Sequence, residues 1–420
     1  MNRAGCDHKD EILLYHNCEG IRETPSGVHA LVIGVSRYEK RQRSGQQAIR
    51  PLLGAATGAA HFARFLITDF HDPSEVPVRT VRLLLSPEDG EDQLLPVQKN
   101  WQEATHDNVA DADDAWENDC DSNPNNIAIL YPAGHGIITP TGYQFVFLSG
   151  AGRVQNAYSY GVNLGNIRER MRFNSARTNI CIFDCCALRG ADLPQFTGDA
   201  GIGAGLQRQS NMAGRPEQDV QAPHPGRDNE VIIAARVGTQ NYVLNAREGT
   251  LMSLALVGSN EVRPRPPLLQ SAGTIVADKT FAVTPYRLKQ KFLPTMRYLR
   301  PRAYDAGEEP LVHPETDSIA ITKPEPPPLF RVTLISNPPP TGYTFCITIF
   351  RRDGTIVDGA EARDQGLRFE LILEAGVYEL ALTPYWPGAR SWSRDLPIWH
   401  DGPIGLEIDS TGRITLDNEG

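Results

Sequence analysis

His135 and Cys186 together hold the residue types of a nucleophile–base pair. His135 lies in Tyr131-Pro-Ala-Gly-His-Gly136, and Cys186 in Ile182-Phe-Asp-Cys-Cys-Ala-Leu-Arg-Gly190. A thiol is a poor nucleophile near neutral pH and its thiolate a good one. An imidazole within reach takes the thiol proton and later protonates a leaving amine. Acyl transfer also needs donors for the oxyanion, and the N–H groups of Gly136 and Cys186 are the candidates. Glycines on both sides of His135 permit backbone angles that other residues resist. Each motif alone is ordinary, since a Cys just past a strand is usually core. The joint pattern carries the weight.

The elements that must position the pair are short apolar runs. Asn126-Ile-Ala-Ile-Leu-Tyr131 ends at Pro132, and Thr178-Asn-Ile-Cys-Ile-Phe183 ends at Asp184. Runs of this kind are typical of buried parallel strands. Open α/β sheets place their sites at the carboxyl ends of such strands. A first strand is expected around 29–35, a helix over about 53–68 and a second strand over 78–85. Asn108 is expected to cap a short helix to about Trp116. Residues 143–148 suit a strand or hairpin arm, and 163–171 a helix crossing back to the Cys strand. Thr284-Pro-Tyr opens another helix, with a capping Thr and a Pro in the first turn.

This set resembles the caspase–metacaspase clan of cysteine proteases, over roughly residues 27–315. That family has a strand, a small-Gly-His-Gly turn, and a second strand ending in Asp-x-Cys or Gln-Ala-Cys. Fifty-one residues separate His135 from Cys186, against about 50 in caspases. Leu53-Gly-Ala-Ala-Thr-Gly-Ala-Ala60 resembles the family's helix start, and Val231-Ile-Ile-Ala-Ala-Arg236, then Gln240-Asn-Tyr242 and Gly249-Thr-Leu-Met-Ser253, resemble its next strand and helix. The resemblance implies a mostly parallel α/β sheet flanked by helices. It implies a cysteine endopeptidase with Cys186 as nucleophile and His135 as base, needing no metal or organic cofactor. Alternation along the strand sends Cys185 the opposite way, as a packed thiol. In metacaspases the Asp of Asp-x-Cys helps line a pocket for Arg or Lys, and Asp184 holds that position. A second family acid would fall near Gly58, so the chain departs from the pattern there. Arg50, Arg189 and Arg236 are the charges that would serve an acidic preference instead; a basic preference is favoured. Microbial members of the clan are often zymogens triggered in stress, defence or cell-death pathways.

Residues 191–229 are rich in Gly, Pro, Gln and Asn, a composition that buries little surface. In the resembling family the loop after the nucleophile is cut during maturation. Arg208 and Arg227 are the cleavage points that a basic preference implies; Arg215 is disfavoured because Pro216 follows. An unprocessed surface insertion is an equal alternative. The acidic stretch Asp111 to Asp121 lacks the spacing of a calcium loop and suits a solvated helix face.

Residues 1–26 suit an N-terminal arm, 316–328 a Pro-rich linker, and 329–420 a small all-β sandwich with strands in turn-punctuated succession. Such modules more often bind partners than catalyse. An activating or inhibitory protein partner is therefore expected, alongside protein substrates. The other class of function is a catalytically silent scaffold that binds through this β domain. A formal charge of −10 disfavours nucleic acid. Seven cysteines, odd in number and without Cys-x-x-Cys, read as reduced thiols. The first twenty residues are polar, and no apolar run reaches membrane-spanning length. A cytoplasmic protein is expected.

Overall fold

The computed structural model describes residues 13–16, 25–39, 49–72, 76–97, 101–138, 144–153, 161–186, 188–189, 230–234, 243–258, 268–271, 273–275, 281–299, 311–314, 321, 329–336, 345–350, 356–362, 367–374, 376–384, 392–398, 402–408 and 414–417. The chain opens with β1 (Leu13–His16), β2 (Val28–Val35), α1 (Ala55–Thr68), β3 (Val78–Ser86), α2 (His106–Asp121) and β4 (Ile127–Gly134). It continues through β5 (Gly136–Ile138), β6 (Gln144–Phe147), β7 (Gly161–Asn163), α3 (Leu164–Met171), β8 (Thr178–Cys185), β9 (Leu188–Arg189) and β10 (Glu230–Ala234). A hairpin of β11 (Val243–Asn245) and β12 (Gly249–Thr250) leads into α4 (Leu251–Val257) and α5 (Leu268–Ser271). The hairpin β13 (Gly273–Ile275) and β14 (Phe281–Val283), then α6 (Pro285–Leu299) and β15 (Leu311–His313), complete this part.

Seven strands form the main sheet in the order β1-β3-β2-β4-β8-β10-β15. The central strands β3, β2, β4, β8 and β10 are mutually parallel. The two edge strands run antiparallel. Alternation along each strand feeds two apolar clusters, as expected when helices cover both faces. Ala30, Val32, Ile129, Tyr131, Ile180 and Ile182 pack with α1, α4 and α6. Leu31, Ile33, Leu130, Cys181, Phe183 and Cys185 pack with α2 and α3. Helix α1 lies close to the sheet because its inward positions are mostly alanine, with Phe62, Phe65 and Leu66 filling the gaps.

Helix α2 corrects two expectations. Its cap is Thr105, whose hydroxyl accepts the Asn108 N–H at 3.3 Å. Asn108 lies in the first turn, its amide donating to the Glu103 carbonyl at 2.9 Å. The helix runs on to Asp121; Asp111 and Asp114 are exposed on it, as expected of a solvated face, but the other acids of the stretch are engaged. Asp113 and Glu117 both bind Arg170, and Asp119 accepts from Arg82 and from the Thr80 hydroxyl. Asp121 accepts the Ser175 N–H at 2.6 Å.

The C-terminal strands are β16 (Leu329–Ser336), β17 (Phe345–Phe350), β18 (Ile356–Ala362), β19 (Leu367–Glu374), β20 (Gly376–Pro384), β21 (Trp392–Ile398), β22 (Gly402–Ile408) and β23 (Ile414–Asp417). They form two four-stranded sheets, β19-β16-β22-β23 and β18-β17-β20-β21. Val332 and Leu334 of one sheet share an apolar cluster with Ile347, Ile349 and Leu380 of the other. Among the described residues no helix is long and apolar enough to cross a membrane.

At the amino end of the sheet, the His29 imidazole bonds the Thr80 hydroxyl at 2.8 Å. Burial pushes its pKa down to about 4, and Asp119 opposes that shift. The unfolded chain, with a histidine near pH 6.5, therefore binds more protons than the folded one between those two values. Stability contributed by neutral His29 is complete above that window and lost as pH falls through it, by about 3 kcal/mol at most. Thermal melting should show a weaker decline between pH 6.5 and 4 in His29→Gln than in the parent. An identical decline would assign the acid sensitivity to other groups.

Candidate active site

The paired part of β4 and β8 ends with Ala133 opposite Asp184 and Gly134 opposite Cys185. His135 and Cys186 are the next residue on each strand. Neighbouring strands lie about 4.8 Å apart, so the two residues leave the sheet edge side by side. Both chains then enter one small sheet of order β7-β6-β5-β9, where Ile137 pairs with Leu188.

Gly136 is where the two motifs touch. A Cβ there would lie 2.6 Å from the Cys186 carbonyl oxygen, 2.9 Å from Cys185 Cβ and 3.0 Å from Cys185 Sγ. Only glycine permits this approach. The His135 carbonyl accepts the Phe147 N–H at 2.9 Å. In an antiparallel ladder the next residue then points its N–H away from the partner strand. The Gly136 N–H is accordingly aimed away from β6, toward the side on which β9 pairs with β5.

His135 is half-buried and held on three sides. Its Nε2 lies 2.9 Å from the Arg50 carbonyl oxygen. A carbonyl only accepts, so Nε2 carries the proton and Nδ1 keeps its lone pair. The His135 N–H donates to the Tyr38 hydroxyl at 2.8 Å, and that hydroxyl donates to the Val35 carbonyl at 3.1 Å. The two rings pack at 5.1 Å between centroids. Burial lowers the His135 pKa and the Arg50 carbonyl opposes the shift, so the ring is neutral near pH 7 and competent as a base. Burial raises the Tyr38 phenol well above its usual range, and it stays protonated.

The adjacent cysteines differ in environment. Cys185 is fully buried on the α2 side, where burial pushes its thiol far up and the Gln144 amide donates to Sγ at 3.3 Å. Cys186 is half-buried at the strand end. Asp184 lies on the other face, 1% exposed, accepting from the hydroxyls of Tyr131 and Thr250. Thr250 is also the cap of α4, accepting the Ser253 N–H at 3.1 Å. Tyr131 in turn stacks on Phe62 at 4.2 Å. A Cβ at Gly58, where a second acid was expected in the resembling family, would lie 2.7 Å from Ser253 Oγ. That position is packed shut.

Of the arginines singled out by sequence, Arg50 is exposed and reaches the site through its main chain. Arg189 stands in β9 opposite Ile138. Arg208, Arg227, Arg236 and the segment 191–229 lie outside the described residues. Among the described residues no group of three or more His, Cys, Asp or Glu side chains could hold a metal ion. Sequence reasoning missed the Arg50 carbonyl, Tyr38 and Thr250. A main-chain carbonyl leaves no trace in residue type, whereas a Tyr three residues past a strand end is at least a visible anchor.

No family model and no curated protein sequence matches the chain.

Two substitutions probe this geometry. Gly136→Ala should push the Cys186 segment aside and slow iodoacetamide labelling of Cys186 about 10- to 100-fold, read by peptide mass spectrometry. Tyr38→Phe should destabilise the fold by about 1–3 kcal/mol in denaturant titrations, because the His135 N–H loses its acceptor.

Proposed function

We propose that the chain is a caspase-like cysteine endopeptidase. The observation that carries this reading is the adjacency of His135 and Cys186 at the carboxyl ends of paired parallel strands, with the imidazole proton held on Nε2. Nδ1 then takes the Cys186 proton, and the thiolate attacks the scissile carbonyl carbon. The N–H groups of Gly136 and Cys186 receive the developing oxyanion. As the tetrahedral adduct collapses, the imidazolium gives its proton to the leaving amine. Water, deprotonated by the same imidazole, then cleaves the thioester and frees the thiol.

A preference for Arg or Lys before the cut is part of the proposal. It rests on the charge of Asp184. Asp184 accepts from the hydroxyls of Tyr131 and Thr250. When ionised, it draws a cationic side chain through low-dielectric surroundings rather than by direct contact. Activation by a protein partner, or by cleavage after Arg208 or Arg227, in a microbial defence, stress or cell-death pathway completes the reading. The resemblance of the His and Cys motifs to the caspase–metacaspase clan supports it.

The test is a peptide library incubated with parent, Cys186→Ala and His135→Ala proteins, with new termini read by mass spectrometry. Parent should cleave after basic residues, and both variants should lose at least about 10³-fold in rate while melting normally. Retained cleavage in either variant removes the dyad. A parent that neither cleaves nor reacts selectively at Cys186 with iodoacetamide is the silent scaffold instead.

A further inference from the structure

We infer that Glu91 is a positioning residue for His135, holding the turn from which the Arg50 carbonyl reaches the imidazole. The inference rests on the peptidase reading for its meaning, and on the following contacts for its geometry. Glu91 lies beyond β3, remote in sequence from both catalytic motifs, and is 2% exposed. Its Oε1 accepts from the Ser36 hydroxyl at 2.9 Å, the Gly54 N–H at 3.0 Å and the Thr57 N–H at 3.2 Å. Its Oε2 accepts the Glu88 N–H at 2.9 Å.

These donors include the opening of α1, whose cap residue Gly54 offers no side chain. Gly54 has φ 97°, and a Cβ there would lie 2.6 Å from the Asn245 carbonyl oxygen and 2.7 Å from Val243 Cγ1. A Ser, Asp or Asn cap is thus barred at the place where helices usually carry one. Glu91 supplies the missing acceptor from outside the helix, where the positive end of the helix dipole also favours its charge.

Ser36 completes the clamp. Its hydroxyl oxygen accepts the Ala56 N–H at 2.9 Å, and its carbonyl accepts the Leu52 N–H at 2.8 Å. Only Pro51, with its ring-fixed φ, separates Arg50 from Leu52. The Arg50 carbonyl therefore inherits its position from the Ser36–Glu91 pair. That carbonyl in turn selects the Nε2–H tautomer that makes Nδ1 the base.

The experiment compares parent, E91Q and E91A as full chains. In E91Q the amide opposes at least one N–H whichever way it turns, yet fills the same space. E91A removes every contact. Nitrogen-15 NMR of the His135 ring reports the tautomer, and mass spectrometry reports the rate of Cys186 alkylation at fixed pH. The parent should show a fixed Nε2–H ring. E91A should move both ring nitrogens toward tautomer-averaged values and slow Cys186 alkylation about tenfold or more, with E91Q between. Should E91A fail to fold, the same shifts in E91Q decide the matter. A folded variant with parent-like ring nitrogens and parent-like alkylation overturns the inference, since a purely structural Glu91 would change melting alone. Peptide cleavage is scored separately. A parent that neither cleaves nor alkylates selectively at Cys186, while its ring nitrogens respond to E91A, removes the peptidase reading and leaves Glu91 assigned. A cleaving parent with unresponsive readouts does the reverse.

Discussion

The parallel pairing of β4 with β8 is the constraint on which the rest depends. Period-two alternation ties everything near the site to that register. With Gly134 opposite Cys185, His135 and Cys186 emerge together, Asp184 turns toward α1 and α4, and Cys185 turns toward α2. A slip of one residue would bury the candidate nucleophile and drive a carboxylate into the opposite apolar cluster. The cost of that unpaired burial is what makes the register definite. Gly136 then seals the arrangement by letting the two exit segments touch.

A second constraint is the crowding at the start of α1. Gly54 meets the β11–β12 hairpin, and Gly58 meets Gly249 with a Cβ clearance of 2.8 Å. The helix can approach the hairpin this closely only without side chains at those positions. The Thr57 hydroxyl reaches across to the Ala246 carbonyl at 2.7 Å, fastening the same junction. Close packing here removes the local cap, and the missing acceptor comes from Glu91. Backbone proximity and a buried carboxylate are thus two sides of one solution.

Much of this was open to reading from sequence, and the exceptions have physical causes. The runs at 126–131 and 178–183 declare themselves because both faces of a central parallel strand must be apolar; the strands continue past Pro132 and Asp184 to Gly134 and Cys185. The strands β18 and β21 escaped notice. Polar and charged residues break the pattern in both (Asp358, Glu361; Arg394, Asp395), and β21, at a sheet edge, even tolerates Pro397. The acids of α2 misled because their arginine partners, Arg82 and Arg170, come from distant segments. The Asp-Cys-Cys triplet was legible as chemistry, but the hydroxyls that hold Asp184 were not. Tyr131 and Thr250 are unremarkable as residues, and only the fold brings them to one carboxylate.

The link from Asp184 to Thr250 has a consequence for biosynthesis. It spans 66 residues, and its far end is the residue that starts α4. A chain emerging from the ribosome presents both the imidazole and the thiol before that hydroxyl has been made. At typical elongation rates of roughly 5–20 residues per second, several seconds pass before Ser253 follows. Throughout that interval the carboxylate beside the thiol lacks the Thr250 hydroxyl. A nascent chain is thereby kept from the finished arrangement until the translation machinery has moved well beyond it.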